Sequence, residues 1–291
     1  MKKKIIFILF IIGLIGGIIY FSNTKLNKKT EEIAEAKTEE TSNNNNVEVQ
    51  KEEIPEMKKI NNERKLLSEV TTKRGLPVLM YHFFYDESAG ETARDNNCME
   101  IKNFEAQIKY LAENNYYVPE WEEVVDFVNG KIGLPEKSVI ITVDDGDESF
   151  FRLAVPVLRK YKFYATSFVV TSWYSQFVTE ENAEVVDFQS HSDNMHRSGK
   201  DGKGAILTLS YDEVCKDLET CRAIIGEKCR VFCYPFGHYN ENAMKELRDC
   251  NYIMAFTVEG GRVEPGMNCL KLPRVRMSKG DTLNSFINKV K

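Results

Sequence analysis

From residue 75 to its end, this 291-residue chain alternates between two hydrophobic periodicities. Short apolar runs rich in β-branched and aromatic residues have the length of strands. They are 76–81, 138–143, 164–170, 184–190 and 230–236. Stretches with helical periodicity lie at 103–115, 119–130, 149–161, 209–227 and 240–252. This alternation over about 215 residues predicts an α/β fold with a mostly parallel sheet, either open or closed into a barrel.

The N-terminus has a different pattern. Three lysines at residues 2–4 precede an uncharged apolar run from Ile5 to Phe21. In a helix this run spans about 25 Å, the short end of what crosses a bilayer. Lysines before the run favour a cytoplasmic N-terminus, and no small-residue cleavage site follows it. We therefore predict an uncleaved membrane anchor over residues 1–21, with a cleaved signal peptide and a buried core helix as alternatives.

Residues 22–74 lack the apolar content for a core of their own. They carry 11 basic and 11 acidic residues and the run Asn43–Asn46. This composition predicts a flexible charged tether that spans about 40 Å, with a short helix around residues 61–70. The anchor and tether together predict a single-pass protein of the cell membrane whose domain, residues 75–291, is extracellular.

The predicted domain is acidic. The whole chain has a net charge of −5, residues 2–4 are lysines and the tether is neutral, which leaves −8 on residues 75–291. An acidic domain without a basic stripe argues against nucleic acid or anionic lipid as a partner.

The seven cysteines form no C-x-x-C motif, and their odd number leaves at least one unpaired. Cys215 and Cys221 are six residues apart on one predicted helix, a poor spacing for a bond between them. We interpret the cysteines as small hydrophobic residues.

Chemically useful residues follow four of the predicted strands. They are His82, the pair Asp144-Asp145, His191, and the turn Pro235-Phe236-Gly237. In α/β folds, sites gather at the carboxyl ends of the strands. The four strand ends therefore predict one shared site, although each feature alone is also consistent with an ordinary strand-to-loop turn.

The spacing of His191 and His196 bears on what this site holds. Five residues on a helix leave two side chains about 140° apart, and on a strand they point to opposite faces. A turn between them would instead direct both histidines to one ion. With one carboxylate of Asp144-Asp145 they form a two-histidine, one-carboxylate ligand set, and the other aspartate remains free as a base.

These residues occur in motifs that resemble those of a known family. "TVDDG" (142–146), "SHSDNMH" (190–196) and "YPFG" (234–237) are similar to the leading motifs of the polysaccharide deacetylases, the NodB-homology or carbohydrate esterase family 4 group. "PVLMYH" (77–82) and "KLPR" (271–274) most resemble the poly-N-acetylglucosamine deacetylase-like subgroup. The resemblance covers residues 75–291 and implies a single catalytic domain with a distorted (β/α) barrel.

The resemblance also implies roles for individual residues. Asp145, His191 and His196 would bind a divalent metal, usually zinc, with cobalt or nickel as alternatives. The metal would polarise the acetamide carbonyl and lower the pKa of a water molecule. Asp144 would be the general base, and His82 would protonate the leaving amine.

Three further assignments follow from the resemblance. The backbone N–H of Phe236, between Pro235 and Gly237, would help to stabilise the oxyanion. Arg274 would orient Asp144, because Cys233 stands where many relatives have an arginine. Nearby, His238 has no implied role, and we expect it on an exposed loop. Trp173 follows a strand end and would either stack on a sugar ring, pack in the core or fill the rim of the site.

The sequence thus predicts a membrane-tethered, metal-dependent hydrolase that removes N-acetyl groups from N-acetylglucosamine residues of an extracellular polysaccharide. Peptidoglycan and an exopolysaccharide of poly-N-acetylglucosamine type are both candidate substrates. A catalytically silent carbohydrate-binding domain on the same fold is the alternative. The oligomeric state stays open.

Overall fold

The computed structural model describes residues 56–67, 71–72, 74–199 and 202–291. The predicted anchor, residues 1–21, and most of the predicted tether lie outside these residues. Within the described ranges, no helix combines the length and the apolar character needed to cross a membrane.

Eleven strands occur in the described residues. They are β1 (Thr71–Thr72), β2 (Val78–Tyr81), β3 (Phe83–Tyr85), β4 (Cys98–Glu100), β5 (Leu134–Pro135), β6 (Ile140–Asp145), β7 (Ala165–Val169), β8 (Val186–Ser190), β9 (Val231–Cys233), β10 (Met254–Gly260) and β11 (Leu272–Arg276). Strands β2, β6, β7, β8, β9, β10 and β11 form, in this order, a closed barrel of parallel neighbours in which β11 pairs with β2. The predicted α/β class and the (β/α) barrel are confirmed.

Helices connect and surround the strands. In the described part of the chain they are α1 (Glu56–Leu66), α2 (Ile101–Glu113), α3 (Trp121–Val128), α4 (Val155–Tyr161), α5 (Thr171–Tyr174), α6 (Glu180–Ala183), α7 (Tyr211–Ile225), α8 (Glu241–Asp249) and α9 (Leu283–Val290). A π-helical turn, Phe150–Ala154, leads into α4. The capping box at the start of α7 forms between Ser210 and Glu213, as its sequence indicates.

The barrel strands are apolar on both faces because the barrel interior covers one face and the helices cover the other. All six residues of β6 are buried. Ile140 belongs to an apolar cluster with Phe168 and Phe256 from other barrel strands, whereas the next residue, Ile141, packs in the cluster that contains Phe104 of α2. This double burial explains why these strands appear in the sequence as continuous apolar runs.

Helix α1 lies within the segment that the sequence predicts as a tether. Its Asn61 side chain donates to the carbonyl of Val118 at 2.8 Å and accepts from the Val118 N–H at 3.1 Å. Arg64 donates to the carbonyls of Tyr161 and Lys162 at the end of α4, at 3.3 and 2.9 Å. Asn61 and Arg64 are both buried, so specific hydrogen bonds attach this helix to the barrel domain.

The half-buried residue Asp187, near the start of β8, makes stability depend on pH. Asp187 accepts hydrogen bonds from Trp121 Nε1 at 2.7 Å and from Gln189 Nε2 at 3.1 and 3.2 Å. Burial nevertheless raises the pKa of Asp187 to about 6. The folded protein therefore binds the proton more tightly than the unfolded chain does. Its stability falls as the pH rises from the unfolded pKa of about 4 through the folded pKa.

We expect Asp187→Asn to remove this pH dependence, because asparagine does not titrate in this range. The free energy of unfolding of the variant, relative to that of the native chain, should increase by about 2 kcal/mol between pH 4 and pH 7. Urea unfolding at the two pH values measures this difference. If the variant and the native chain differ in unfolding free energy by the same amount at both pH values, Asp187 titrates in the folded protein as it does in the unfolded chain.

Candidate active site

The carboxyl ends of the barrel strands surround a cleft of about 360 Å³. The cleft brings together five residues that the sequence places at strand ends or on the following turn: His82, Asp144, Asp145, His191 and His196. Phe236 also lines it. Tyr234, the first residue of the motif "YPFG", lines it too, although no role was assigned to it. The remaining lining residues lie outside the quoted motifs and were not predicted; they are Phe83, Asn97, Val258 and Arg276.

Asp145, His191 and His196 converge on one point. Asp145 Oδ1 lies 3.4 Å from His191 Nε2 and 3.3 Å from His196 Nε2. His191 Nδ1 lies 2.7 Å from the backbone carbonyl of Cys233, which fixes Nδ1 as the protonated nitrogen and leaves the Nε2 lone pair directed at Asp145. Asp145 Oδ1 is buried and, among the described residues, has no hydrogen-bond donor.

This arrangement fits a divalent metal ion. A buried carboxylate oxygen without a donor is costly unless a cation occupies the space in front of it. Two imidazole nitrogens and one carboxylate oxygen are a ligand set typical of zinc and related metals. Asp144, His191 and Cys233 also lie close enough to form a trio, but Arg274 already binds both carboxylate oxygens of Asp144. The trio of Asp145, His191 and His196 is therefore the better candidate for a metal site.

The turn between the two histidines explains their five-residue spacing. The Ser190 side chain accepts from the Ser192 N–H at 3.1 Å, and the Ser192 side chain accepts from the Met195 N–H at 2.9 Å. Within the turn, Asp217 on α7 accepts from the backbone N–H groups of residues 193 and 194, at 2.7 and 2.8 Å. The turn therefore brings His196 back beside His191. No motif in the sequence indicates this role of Asp217.

Asp144 is held by a buried arginine. Arg274 Nη1 donates to Asp144 Oδ1 at 2.7 Å, and Nη2 donates to Oδ2 at 2.6 Å. Arg274 is fully buried and Asp144 is 2% exposed. Burial alone would raise the pKa of Asp144, but the charge and hydrogen bonds of Arg274 hold it well below its usual range. Asp144 is therefore an oriented anion beside the trio of Asp145, His191 and His196.

His82 lies on the other side of Asp144. Its Nε2 atom is 3.7 Å from Asp144 Oδ2, and its Nδ1 atom is buried with no hydrogen-bond partner in the described chain. Burial lowers the pKa of His82, and the nearby carboxylates of Asp144 and Asp145 only partly oppose this. A lowered pKa makes the protonated imidazole a stronger acid, which suits a residue that gives a proton to a substrate.

The turn Pro235–Gly237 forms one wall of the cleft. Phe236 has φ +60°, ψ +4°, and Gly237 has φ +72°. Asp145 (φ +73°) and Ser192 (φ +75°) are also in the left-handed region. Each non-glycine residue in the left-handed region costs about 1–2 kcal/mol. Backbone strain is therefore concentrated around Asp145, His191 and His196, as is common at functional sites.

We expect Gly237→Ala to disrupt this turn. A Cβ at residue 237 would lie 2.4 Å from Val258 Cγ2, and the backbone would also be strained by its positive φ. Gly266 is a matched control, because it has φ +88° but nothing within 4 Å of its Cβ position. Gly266→Ala should cost about 1–2 kcal/mol of stability and leave activity intact. Gly237→Ala should cost more and lower kcat, measured by thermal unfolding and acetate release. Equal effects of the two substitutions would contradict the contact with Val258.

Two exposed aromatic rings flank His196. The Trp173 ring lies 5.1 Å from it and the Phe236 ring 4.4 Å, and their exposed fractions are 45% and 44%. Trp173 is therefore outside the core, which leaves sugar stacking and rim filling as its alternatives. His238 is exposed, as expected, although its Nδ1 atom accepts from the Gly204 N–H at 3.0 Å.

Residues 131–255 match the family model of the polysaccharide deacetylases. Over 218 residues, the chain is 26% identical to a poly-beta-1,6-N-acetyl-D-glucosamine N-deacetylase of Staphylococcus aureus (strain MRSA252), covering 68% of this chain and 73% of that one. It is 28% identical to a putative polysaccharide deacetylase, YxkH, of Bacillus subtilis, covering 72% and 74%.

A similar structure is IcaB from Ammonifex degensii. The TM-score is 0.62 at 25% identity, covering 74% of this chain and 97% of that one. The region matched by the family model contains the motifs at residues 142–146, 190–196 and 234–237. The chain is therefore similar to the polysaccharide deacetylases in the sequence of residues 131–255 and similar to IcaB in its barrel.

Proposed function

We propose that the protein is a metal-dependent N-deacetylase of N-acetylglucosamine residues in an extracellular polysaccharide. One observation carries the proposal: at the base of the cleft, the Asp144 carboxylate, paired with Arg274, lies beside the convergent side chains of Asp145, His191 and His196. Amide hydrolysis needs a base, a group that stabilises negative charge on the carbonyl oxygen, and an acid for the leaving amine. The cleft supplies a candidate for each.

The three proposed ligands are Asp145, His191 and His196. Bound there, a divalent ion such as zinc would act as a Lewis acid towards the acetamide oxygen and make water more acidic. Asp144 accepts the proton of the attacking water, and Arg274 keeps its carboxylate oriented. The backbone N–H of Phe236 donates to the developing oxyanion.

His82 completes the reaction by protonating the amine as the C–N bond breaks. Its position beside Asp144 allows the proton taken up by the base to be returned on the leaving-group side. The products are acetate and a glucosamine residue whose amine becomes positively charged near neutral pH. The polymer therefore gains positive charge with each acetyl group removed.

A polymeric sugar suits the shape of the site. The cleft is open to solvent, and the exposed rings of Trp173 and Phe236 provide apolar surfaces on which sugar rings stack. The named activity of the Staphylococcus aureus relative supports a β-1,6-linked poly-N-acetylglucosamine as the substrate. Peptidoglycan is the second candidate substrate.

The location outside the cell is also part of the proposal. It rests on the lysines at residues 2–4 and the apolar run Ile5–Phe21, which are features of the sequence alone. Membrane fractionation followed by protease treatment of intact cells tests it. Degradation of the domain by external protease is expected, and protection of the domain would contradict the orientation.

The decisive experiment measures acetate release by the full-length protein in mild detergent. Metal-free protein is compared with zinc-, cobalt- and nickel-loaded protein on β-1,6-linked N-acetylglucosamine oligomers, chito-oligomers and purified peptidoglycan. We expect metal-dependent release, fastest on the β-1,6-linked oligomers. Preference for peptidoglycan would change the substrate but keep the reaction. Binding of these glycans without acetate release would instead support the silent carbohydrate-binding alternative.

A further inference from the structure

Two cysteines outside the active site lie unusually close together. Cys215 is on α7, and Cys250 directly follows α8. Their Sγ atoms are 3.0 Å apart. Non-bonded heavy atoms are normally separated by about 3.5–4.0 Å, so the two thiols are already in closer contact than packing alone requires. All seven cysteines are thiols in the structure.

Neighbouring contacts hold the two helices in this register. The Tyr211 hydroxyl at the start of α7 donates to Asp249 Oδ2 at 3.2 Å. Lys245 binds the same carboxylate at 2.6 Å and lies over the Tyr211 ring, 5.1 Å from its centre. These contacts join α7 to α8 next to the cysteines, so the fold holds the two sulfur atoms close together.

We propose that Cys215 and Cys250 are a disulfide-forming pair that cross-links α7 to the end of α8. This proposal depends on the extracellular location proposed above in one respect only, which is that the bond forms in that environment. Disulfides persist in oxidising compartments, and no such bond was predicted from the sequence because the partners are separated by a strand and a helix.

The two thiols differ in accessibility, which sets the order of the chemistry. Cys215 is half-buried, whereas Cys250 is 8% exposed, and burial raises the pKa of Cys250 to about 12. The Cys215 thiolate attacks a small-molecule disulfide such as oxidised glutathione and releases one glutathione. Cys250 then loses its proton, attacks the Cys215 sulfur and releases the second glutathione. Two protein thiols are oxidised, and one small disulfide is reduced to two thiols.

The cross-link would act on the segment that forms the cleft wall. The loop that it closes has about 35 residues and contains β9 and the turn Pro235–Gly237. A disulfide that closes a loop of this length restricts the unfolded chain strongly. We therefore expect the oxidised protein to melt about 5–10 °C higher than the reduced protein.

The other cysteines provide controls. Cys221 and Cys229 also interact with each other, but both side chains are fully buried, which denies them access to a small disulfide. Cys269 is half-buried like Cys215 and has no cysteine partner among the described residues. Cys269→Ser is thus the matched control for Cys215→Ser.

The test equilibrates the full-length protein in buffers of increasing ratio of oxidised to reduced glutathione. Remaining thiols are alkylated, and cross-linked peptides are identified by mass spectrometry. We expect one cross-link, between the peptides of Cys215 and Cys250, which Cys215→Ser removes and Cys269→Ser retains. Seven alkylated thiols at the most oxidising ratio, or a cross-link between other cysteines, would overturn the proposal.

The native protein alone is sufficient for this mapping, so a variant that fails to fold does not weaken the test. The readout also does not use acetate release. Failure of the cross-link therefore leaves the proposed deacetylation untouched, and failure of deacetylation leaves the cross-link untouched. An unchanged melting temperature on oxidation would overturn the stabilising role that we assign to the bond.

Discussion

Asp144→Asn should lower kcat for acetate release by about 10²–10⁴-fold, the range expected when a general base is removed. Asparagine retains the shape of the side chain and one oxygen for Arg274, but it cannot take a proton from water. Because Asp144 is not one of the three proposed metal ligands, the variant should still bind zinc. Single-turnover acetate release and zinc titration of the same sample test both expectations.

Asp145→Asn is the matched control, because it changes the same functional group one residue further along the chain. Here the carboxylate oxygen that faces His191 and His196 is altered, so zinc affinity itself should fall. The two variants together separate loss of the base from loss of the metal. Full activity of Asp144→Asn would contradict its role, and unchanged zinc affinity of Asp145→Asn would contradict the ligand set.

The barrel could be predicted from the sequence where its strands are apolar on both faces. Strands β2, β7, β8 and β9 lie within the predicted runs, and β6 begins in one and extends two residues beyond it. Strands β10 and β11 were missed for identifiable reasons. The last three residues of β10 are exposed, and β11 contains Pro273 and the charged Arg274. A buried arginine looks unfavourable in a strand until its partner is known, and Asp144 is 130 residues away.

The candidate site was predictable in its residues but not in its supporting contacts. The motifs identify the side chains at the strand ends, because the carboxyl ends of parallel strands meet. Asp217, which holds the turn between the two histidines, lies on a helix whose sequence shows only ordinary amphipathic character. The contacts of Arg64 were likewise not predictable, because it lies in a stretch of balanced charges and its hydrogen bonds go to backbone carbonyls.

Arg274→Met should destabilise the fold as well as lower activity. Arg274 also donates to the Thr257 carbonyl and to Thr142 Oγ1, at 3.0 and 2.9 Å, so its side chain joins β11, β10 and β6. Removal of one member of a buried ion pair costs about 3–5 kcal/mol, because the remaining charge is left unpaired. A lowered melting temperature, by roughly 10 °C, is the expected result in metal-free protein.

Arg276→Met tests whether this loss is specific to the buried pair. Arg276 lies on the same strand two residues further on, and its side chain is exposed and binds Asn97 Oδ1. Its removal should change the free energy of unfolding by less than about 0.5 kcal/mol. A similar loss in both variants would attribute the effect to the strand rather than to the pair with Asp144.

The double variant Arg274→Met/Asp144→Asn identifies the source of the destabilisation. If the cost of Arg274→Met comes from the unpaired Asp144 carboxylate, neutralising that carboxylate should recover about 1–2 kcal/mol of it. The recovery should be incomplete, because Thr257 and Thr142 still lack their donor. A double-mutant cycle of unfolding free energies in metal-free protein measures this coupling. Additive effects would mean that Arg274 stabilises the barrel through its other hydrogen bonds, whereas strong coupling would show that it is present chiefly to keep the proposed base ionised and in place.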